Sequence, residues 1–102
     1  MKQCPVFVTR EANVELVRIC DYLTNVLHSK QAADNFLDEV ERQKEIISAL
    51  PEIYGVSLIP EISAPDGRIA PVNKYVMVYV FDGDKVVILH VFHSTQDYGR
   101  LV

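Results

Sequence analysis

The stretch that decides the fold is Lys74-Tyr75-Val76-Met77-Val78-Tyr79-Val80-Phe81-Asp82-Gly83-Asp84-Lys85-Val86-Val87-Ile88-Leu89-His90-Val91-Phe92. Two runs rich in β-branched and aromatic residues flank an Asp-Gly turn, the composition of an antiparallel hairpin. Side chains alternate across a strand, so each face can be read separately. In the first run Tyr75, Met77, Tyr79 and Phe81 share one face, and Val76, Val78 and Val80 the other. In the second, Val87, Leu89 and Val91 share one face, and Val86, Ile88 and Phe92 the other. Both faces are apolar, whereas an antiparallel sheet with one wet face alternates apolar and polar residues. Helices can cover one face. The other needs the C-terminal segment, a second copy of the chain in a homodimer, or another protein, because large exposed apolar patches mark interfaces. The pattern favours a partner, met by Tyr75, Val76, Val78, Tyr79, Ile88, His90 and Phe92.

Upstream of the hairpin, residues 68–72 read as a short strand that Pro71 confines to a sheet edge or a bulge. Residues 56–59 are a weaker strand, ended by Pro60 and the turn-rich stretch 63–67. Two helical stripes precede them. Ala12, Leu16, Ile19, Leu23 and Val26 recur every three or four residues and predict a helix over 10–28, with Thr9 as its cap and Glu11 in its first turn. Ser29 caps a second helix whose stripe is Ala33, Phe36, Leu37, Val40, Ile47 and Leu50, and Pro51 ends it. Gln43 and Lys44 interrupt that stripe, which predicts a less buried second half. Asp34, Asp38, Glu41, Lys44 and Glu45 form its solvated face. The very short connection makes the two helices an antiparallel hairpin. Residues 5–8 are an opening strand, and residues 93–97 leave the last one, with Asp97 capping a C-terminal turn or helix. This order cannot make a doubly wound sheet. It predicts an α+β fold, strand–helix–helix–antiparallel sheet, with the helical hairpin packed on one face of a four-stranded sheet.

Length and composition set the bounds. The chain of 102 residues supports one domain, 1–102, and its 49% hydrophobic content supports a packed globule. No apolar run approaches the ~20 residues that cross a bilayer. The start Met1-Lys2-Gln3-Cys4-Pro5 lacks the apolar stretch and cleavage site of a signal peptide. Cys4 and Cys20 lie in no Cys-x-x-Cys pair and near no histidine at ligand spacing, so they read as reduced, buried thiols of a cytoplasmic protein, with no metal or cofactor implied. The net charge of −4 argues against a broad nucleic-acid surface and leaves only a local one.

The chain resembles the RelE/ParE superfamily of toxins from type II toxin–antitoxin systems over nearly its whole length. The resemblance rests on the order and spacing of several patterns: Val6-x-x-Thr9-x-x-Ala12; Ala32-Ala33-x-x-Phe36-Leu37 followed by Leu50-Pro51; Gly67-Arg68 and then Tyr75-x-x-x-Tyr79; and Val87-x-Leu89-x-Val91-x-His93 followed by Asp97. It implies an antitoxin that wraps a segment around the toxin and covers part of its sheet, which suits the two-sided hairpin. It also implies one of two activities. One branch, like RelE and YoeB, cleaves mRNA on the ribosome. The other, like ParE, inhibits DNA gyrase and is not a nuclease.

RNA cleavage by 2′-OH attack needs a general acid, a general base and cations around the phosphate. The candidates are Arg68, Lys74, Lys85, His90, His93, Tyr98 and Arg100, but residues 52–102 carry only four Lys and Arg against six acids. The arginine that a YoeB-like pattern places before Leu-Val-Tyr falls at Val76. The arginine of its last strand is also missing, since Val91 and Phe92 precede His93. The leading expectation is therefore a ParE-like toxin that binds a macromolecular target. The alternatives are a ribosome-dependent mRNA endonuclease using Arg68, Lys74 and His93, and a non-toxic protein-binding module of the same fold. Each residue has a plainer reading. Arg68 binds phosphate or a partner carboxylate, or is an exposed loop arginine. His93 transfers protons, or bonds the backbone where the strand ends. Lys74 is an electrostatic contact or a solvated strand start. Tyr75 and Tyr79 stack on bases, or pack in the core with their hydroxyls at its rim.

Overall fold

Two helices lie on one face of a four-stranded sheet in the computed structural model, which describes residues 3–56 and 66–94. The order is β1 (Val6–Val8), α1 (Arg10–Asp21), a π-helical segment (Tyr22–Val26), α2 (Lys30–Ala49), β2 (Arg68–Val72), β3 (Tyr75–Phe81) and β4 (Val86–His93). The strands are arranged β1-β4-β3-β2. The helical hairpin returns the chain to the end it left, so β1 pairs parallel to β4, while the other pairs are antiparallel. Pro71 lies on β2, an edge strand, as its missing N–H requires. Among the described residues no helix is long and apolar enough to cross a membrane.

The passage from β1 into α1 explains the Val-x-x-Thr-x-x-Ala pattern. Val6 pairs with Val86 and packs against the core. Thr9 Oγ1 accepts the N–H of Ala12 at 3.1 Å and donates to the Leu89 carbonyl at 3.1 Å, while Thr9 N–H donates to Ile88 O at 3.0 Å. One residue therefore caps the helix and ties it to β4. Ala12 is fully buried. Because β1 spans only 6–8, α1 takes over along the edge of β4: Glu15 Oε1 accepts the Val91 N–H at 3.1 Å and meets His90 Nδ1 at 3.3 Å. A carboxylate thus occupies an edge group that would otherwise invite another strand.

The two tight turns follow from their residues. Asn73, between β2 and β3, adopts φ 55°, which asparagine tolerates better than most side chains. Gly83, in the turn that joins β3 to β4, has φ 97°. There the Asp82 carboxylate bonds Lys85 Nζ at 2.7 Å and accepts the N–H groups of Asp84 and Lys85. The lysine contact first, and then the two amides, hold that carboxyl well below the usual carboxylate range.

The core between helices and sheet contains Phe36, Val40, Ile47, Ala70, Val72, Met77, Tyr79, Val86, Ile88 and Val91. Several expectations change here. The first helix ends at Asp21, and the chain runs on to Val26 with the wider π spacing, Leu27 N–H bonding Tyr22 O. Leu37 and Leu50, taken as part of the α2 stripe, are 43% and 48% exposed. The second half of α2 is not the less buried one: Ile47 and Ser48 are buried, and so is Gln43. The faces of the hairpin also differ from simple alternation. Val78 pairs with His90 but Tyr79 pairs with Ile88, so Leu89 is an extra residue, a bulge. The bulge resets the phase of β4. Val86 and Ile88 join Val91 on the helix-covered face, and they do not share a face with Phe92. On the opposite face Val76, Val78 and Phe92 pack together with Ile69 and are buried within the chain, so this part of the second face is not the open patch expected from the pattern. Val56 makes an isolated antiparallel bridge to Arg68. The rest of the expected 56–59 strand, and the C-terminal turn with Asp97, Tyr98 and Arg100, lie outside the described residues.

Candidate partner-binding groove

The three residues proposed for catalysis do not converge. Arg68 pairs with Tyr79, whereas Lys74 directly precedes Tyr75, the partner of His93. Four residues of β3 separate the two positions, about 14 Å at the rise of an extended strand. Arg68 is committed elsewhere. Its Nη1 donates to the Tyr54 carbonyl at 2.6 Å and its Nη2 lies 3.9 Å from Glu52. Around it, Tyr79 Oη donates to Pro51 O at 2.8 Å and Tyr54 Oη donates to Gln43 Oε1 at 2.7 Å. Gln43 in turn donates to Glu39 at 3.2 Å. These side chains fasten the turn after α2 to the sheet, and they explain why a glutamine interrupts the apolar stripe of α2: it is buried and satisfied. Burial raises the Tyr79 hydroxyl above its ordinary pKa despite the Arg68 cation nearby.

Lys74 and His93 meet at the other end of the sheet. Ser94 N–H donates to Lys74 O at 2.8 Å, which holds the end of β4 to the start of β3. The Tyr75 ring packs edge-on against His93 at 5.1 Å and against Phe36 at 5.0 Å. These residues form one wall of a cavity of about 840 Å³ between the sheet, the end of α1, the π-helical segment and the first half of α2. Its floor is apolar: Ile19, Leu23, Ala32, Phe36 and Val91. Its lips are Tyr22 and Leu27, 48% and 53% exposed. Its polar rim carries Arg18, Asn35, Asn73, Lys74 and His93, with Glu15 on the α1 side. Burial, reinforced by the proximity of Tyr22 and Cys20, raises the Tyr75 hydroxyl above its ordinary value. Tyr75 is therefore a proton donor at neutral pH and not a base.

The residues expected to meet a partner divide into three groups. Tyr79 and Ile88 belong to the helix-covered core, and their side chains are not at a surface. Val76, Val78 and Phe92 form the buried cluster on the opposite face, where the His90 ring stacks on Phe92 at 5.2 Å. Tyr75 alone of the valine- and tyrosine-rich first run lines the cavity, and Phe92 borders it from the second. Glu15, Arg18, Tyr22, Asn35 and Asn73 also line it, and reading the sequence did not single them out. Their spacing carries no motif, because the groove exists only where two helix ends meet two strand ends. The free thiols Cys4 and Cys20 are each half-buried.

Residues 6–98 match the family model described as ParE toxin of type II toxin-antitoxin system, parDE. Among solved structures, a chain from "Chromosomal ParDE TA system from P. aeruginosa" has the same fold, with a TM-score of 0.69 and 18% sequence identity over 91% of this chain and 98% of that one. No curated protein sequence matches the chain.

Proposed function

The chain belongs to the ParE toxin family of type II toxin–antitoxin systems, and from that premise we propose that it is a single-domain, cytoplasmic toxin that arrests growth by binding a macromolecular target. DNA gyrase is the candidate target, and a cognate antitoxin neutralises the toxin. The observation that carries the non-nuclease reading is the position of Arg68. Its guanidinium is bonded to the Tyr54 carbonyl at the far end of β3 from Lys74 and His93. A phosphate in the groove would have no cation from Arg68, and catalysis of RNA cleavage depends on such charges within hydrogen-bonding reach. The chain's charge of −4 supports the same reading, since binding to RNA draws on several phosphate contacts. The adjacency of Lys74 and His93 is what favours the second reading, an mRNA endonuclease acting on the ribosome.

Tightly controlled induction of the full chain, alone and together with the product of the neighbouring gene, tests this. Growth should stop when the chain is made alone, with a DNA-damage response and trapped, cleaved gyrase–DNA complexes, and should resume when the neighbouring product is present. Discrete mRNA cuts mapped on ribosomes would replace the first reading with the second. Continued growth would remove both.

A further inference from the structure

We propose that the outer face of α1 is a homodimer interface, on which a second copy of the chain docks with its own α1 running antiparallel across a two-fold axis. The first observation is an apolar pair where a surface helix is ordinarily polar. Ala12, Leu16 and Ile19 pack α1 into the core. On the other side Arg10, Val14, Val17 and Asp21 follow one another at intervals of four, three and four residues, which is one stripe along the helix. Val14 is 39% exposed and Val17 53%. Valine is a poorer helix former than the alanine, glutamate or lysine that suit solvated positions. Neither the core nor helix propensity accounts for the pair.

The second observation is the order of charges around it. Arg10 and Glu11 precede the valines, and Arg18 and Asp21 follow them. Glu11 and Arg18, seven residues apart, share one flank of the stripe. All four are exposed, and none is in an ion pair among the described residues. Reversing the helix exchanges the signs. Arg10 then faces Asp21 of the partner subunit, Glu11 faces the partner's Arg18, and the valines of the two copies meet at the axis. In an isologous interface each such contact occurs twice. A parallel alignment would set every charge against its like, so the face complements itself in one orientation only. The third observation is Arg10 itself. As the first residue of α1 it stands at the partially positive helix start, where acids are favoured and bases are not. An antiparallel partner brings a carboxylate to that end.

Unpaired charge alone does not mark this face. Lys30 on α2 and Lys74 before β3 are also in no ion pair among the described residues. Exposed apolar side chains alone do not mark it either, since Phe7 and Ile53 are exposed to a similar degree. The α1 stripe combines the two in a sequence that matches its own reverse. The contact is small. Two helices of 12 residues, each about 18 Å long, bury less than the roughly 1,200 Å² of a stable interface, so the dissociation constant should be on the order of 100 μM.

The test uses the full chain, made by cell-free synthesis and followed by sedimentation equilibrium over concentrations that bracket this value. The parent should pass from monomer to dimer, and less readily as salt rises. Arg10→Asp sets acid against acid at both ends of the interface and should weaken association by roughly tenfold or more. Asp21→Arg alone should do the same. The two substitutions together exchange the charges and should restore the dimer, and an acid at the helix start keeps this variant folded. Val17→Glu should leave a monomer at every concentration, whereas Ile53→Asp, the same kind of change on an exposed apolar side chain elsewhere, should dimerise as the parent does. Circular dichroism should show the parent's helix content throughout. If Val17→Glu unfolds, the charge exchange decides alone. A parent that stays monomeric, a dimer that tolerates Val17→Glu, or a charge exchange that fails to restore what the single reversals lose would each overturn the proposal. So would a monomeric chain whose stripe variants bind the purified product of the neighbouring gene less well, because the face would then serve a different protein.

Discussion

Arg68 shows how one residue type can signal two unrelated roles. A guanidinium presents a fork of donors that suits phosphate, carboxylate and backbone carbonyl alike. In the sequence its place after Gly67 resembles a phosphate-binding position. In the structure its donors fasten residues 52–54 to β2, next to the Tyr79 hydroxyl on Pro51 and the Tyr54 hydroxyl on Gln43. The 3.9 Å approach to the exposed Glu52 adds little, since a loose surface ion pair is screened. The short bond to the carbonyl is the stabilising contact. Arg68→Ala should therefore lower stability by about 1–3 kcal/mol, read as a reduced urea midpoint at unchanged slope. Arg68→Lys should recover only part of the loss, because an ammonium cannot reproduce the fork. An unchanged midpoint in Arg68→Ala would return this residue to the list of candidates for function.

At the scale of elements, most of the fold was legible and the faces were not. The limits of β2 and β3, the caps Thr9 and Ser29 and the hairpin of helices follow from local chemistry, and each appears where the sequence places it. Three features depend on contacts between elements and escape a linear reading. The Leu89 bulge shifts the phase of β4, and a period-two pattern made of apolar residues alone cannot reveal the shift. Gln43 is buried because Tyr54 and Glu39 satisfy its amide. The π-helical segment leaves Val26, expected in the apolar stripe, 60% exposed, and its neighbours Tyr22 and Leu27 half-exposed. The α2 stripe offers a direct check. Ile47 is fully buried and Leu37 is not. Ile47→Ala should cost about 2–5 kcal/mol in thermal or chemical unfolding, through lost burial and the cavity left behind. Leu37→Ala should stay within about 0.5 kcal/mol of the parent. Equal costs would mean that α2 is rotated from the orientation described.

For the whole molecule, the groove, the buried second face and the sealed edge divide the surface into a part that is finished and a part that is not. The second-face cluster is closed by the chain itself, and the edge of β4 is occupied by α1. The groove rim of Tyr22, Leu27, Arg18 and Lys74 stays open, and apolar side chains away from it, Phe7, Val17 and Ile53 among them, are exposed as well. Sequence reading placed the need for a partner on the hairpin because that is where the apolar residues are densest, while the open groove is lined from α1, the π-helical segment, α2, β3 and β4. The pairing of β1 with β4 carries a further consequence, one of timing. Val6 meets Val86, a separation of 80 residues, so the first strand made must wait for the last. At roughly 5–20 residues per second, the wait during synthesis is on the order of ten seconds. Closing so long a loop is also entropically the costliest pairing in the sheet. Ribosome-bound chains stalled at increasing lengths should stay open to protease until β4 has emerged, and protection of shorter chains would show that the helices and β2–β3 fold without it. A molecule wired in this way cannot complete its sheet early: among the described strands β1 pairs only with β4, and it waits for some 80 further residues to be made.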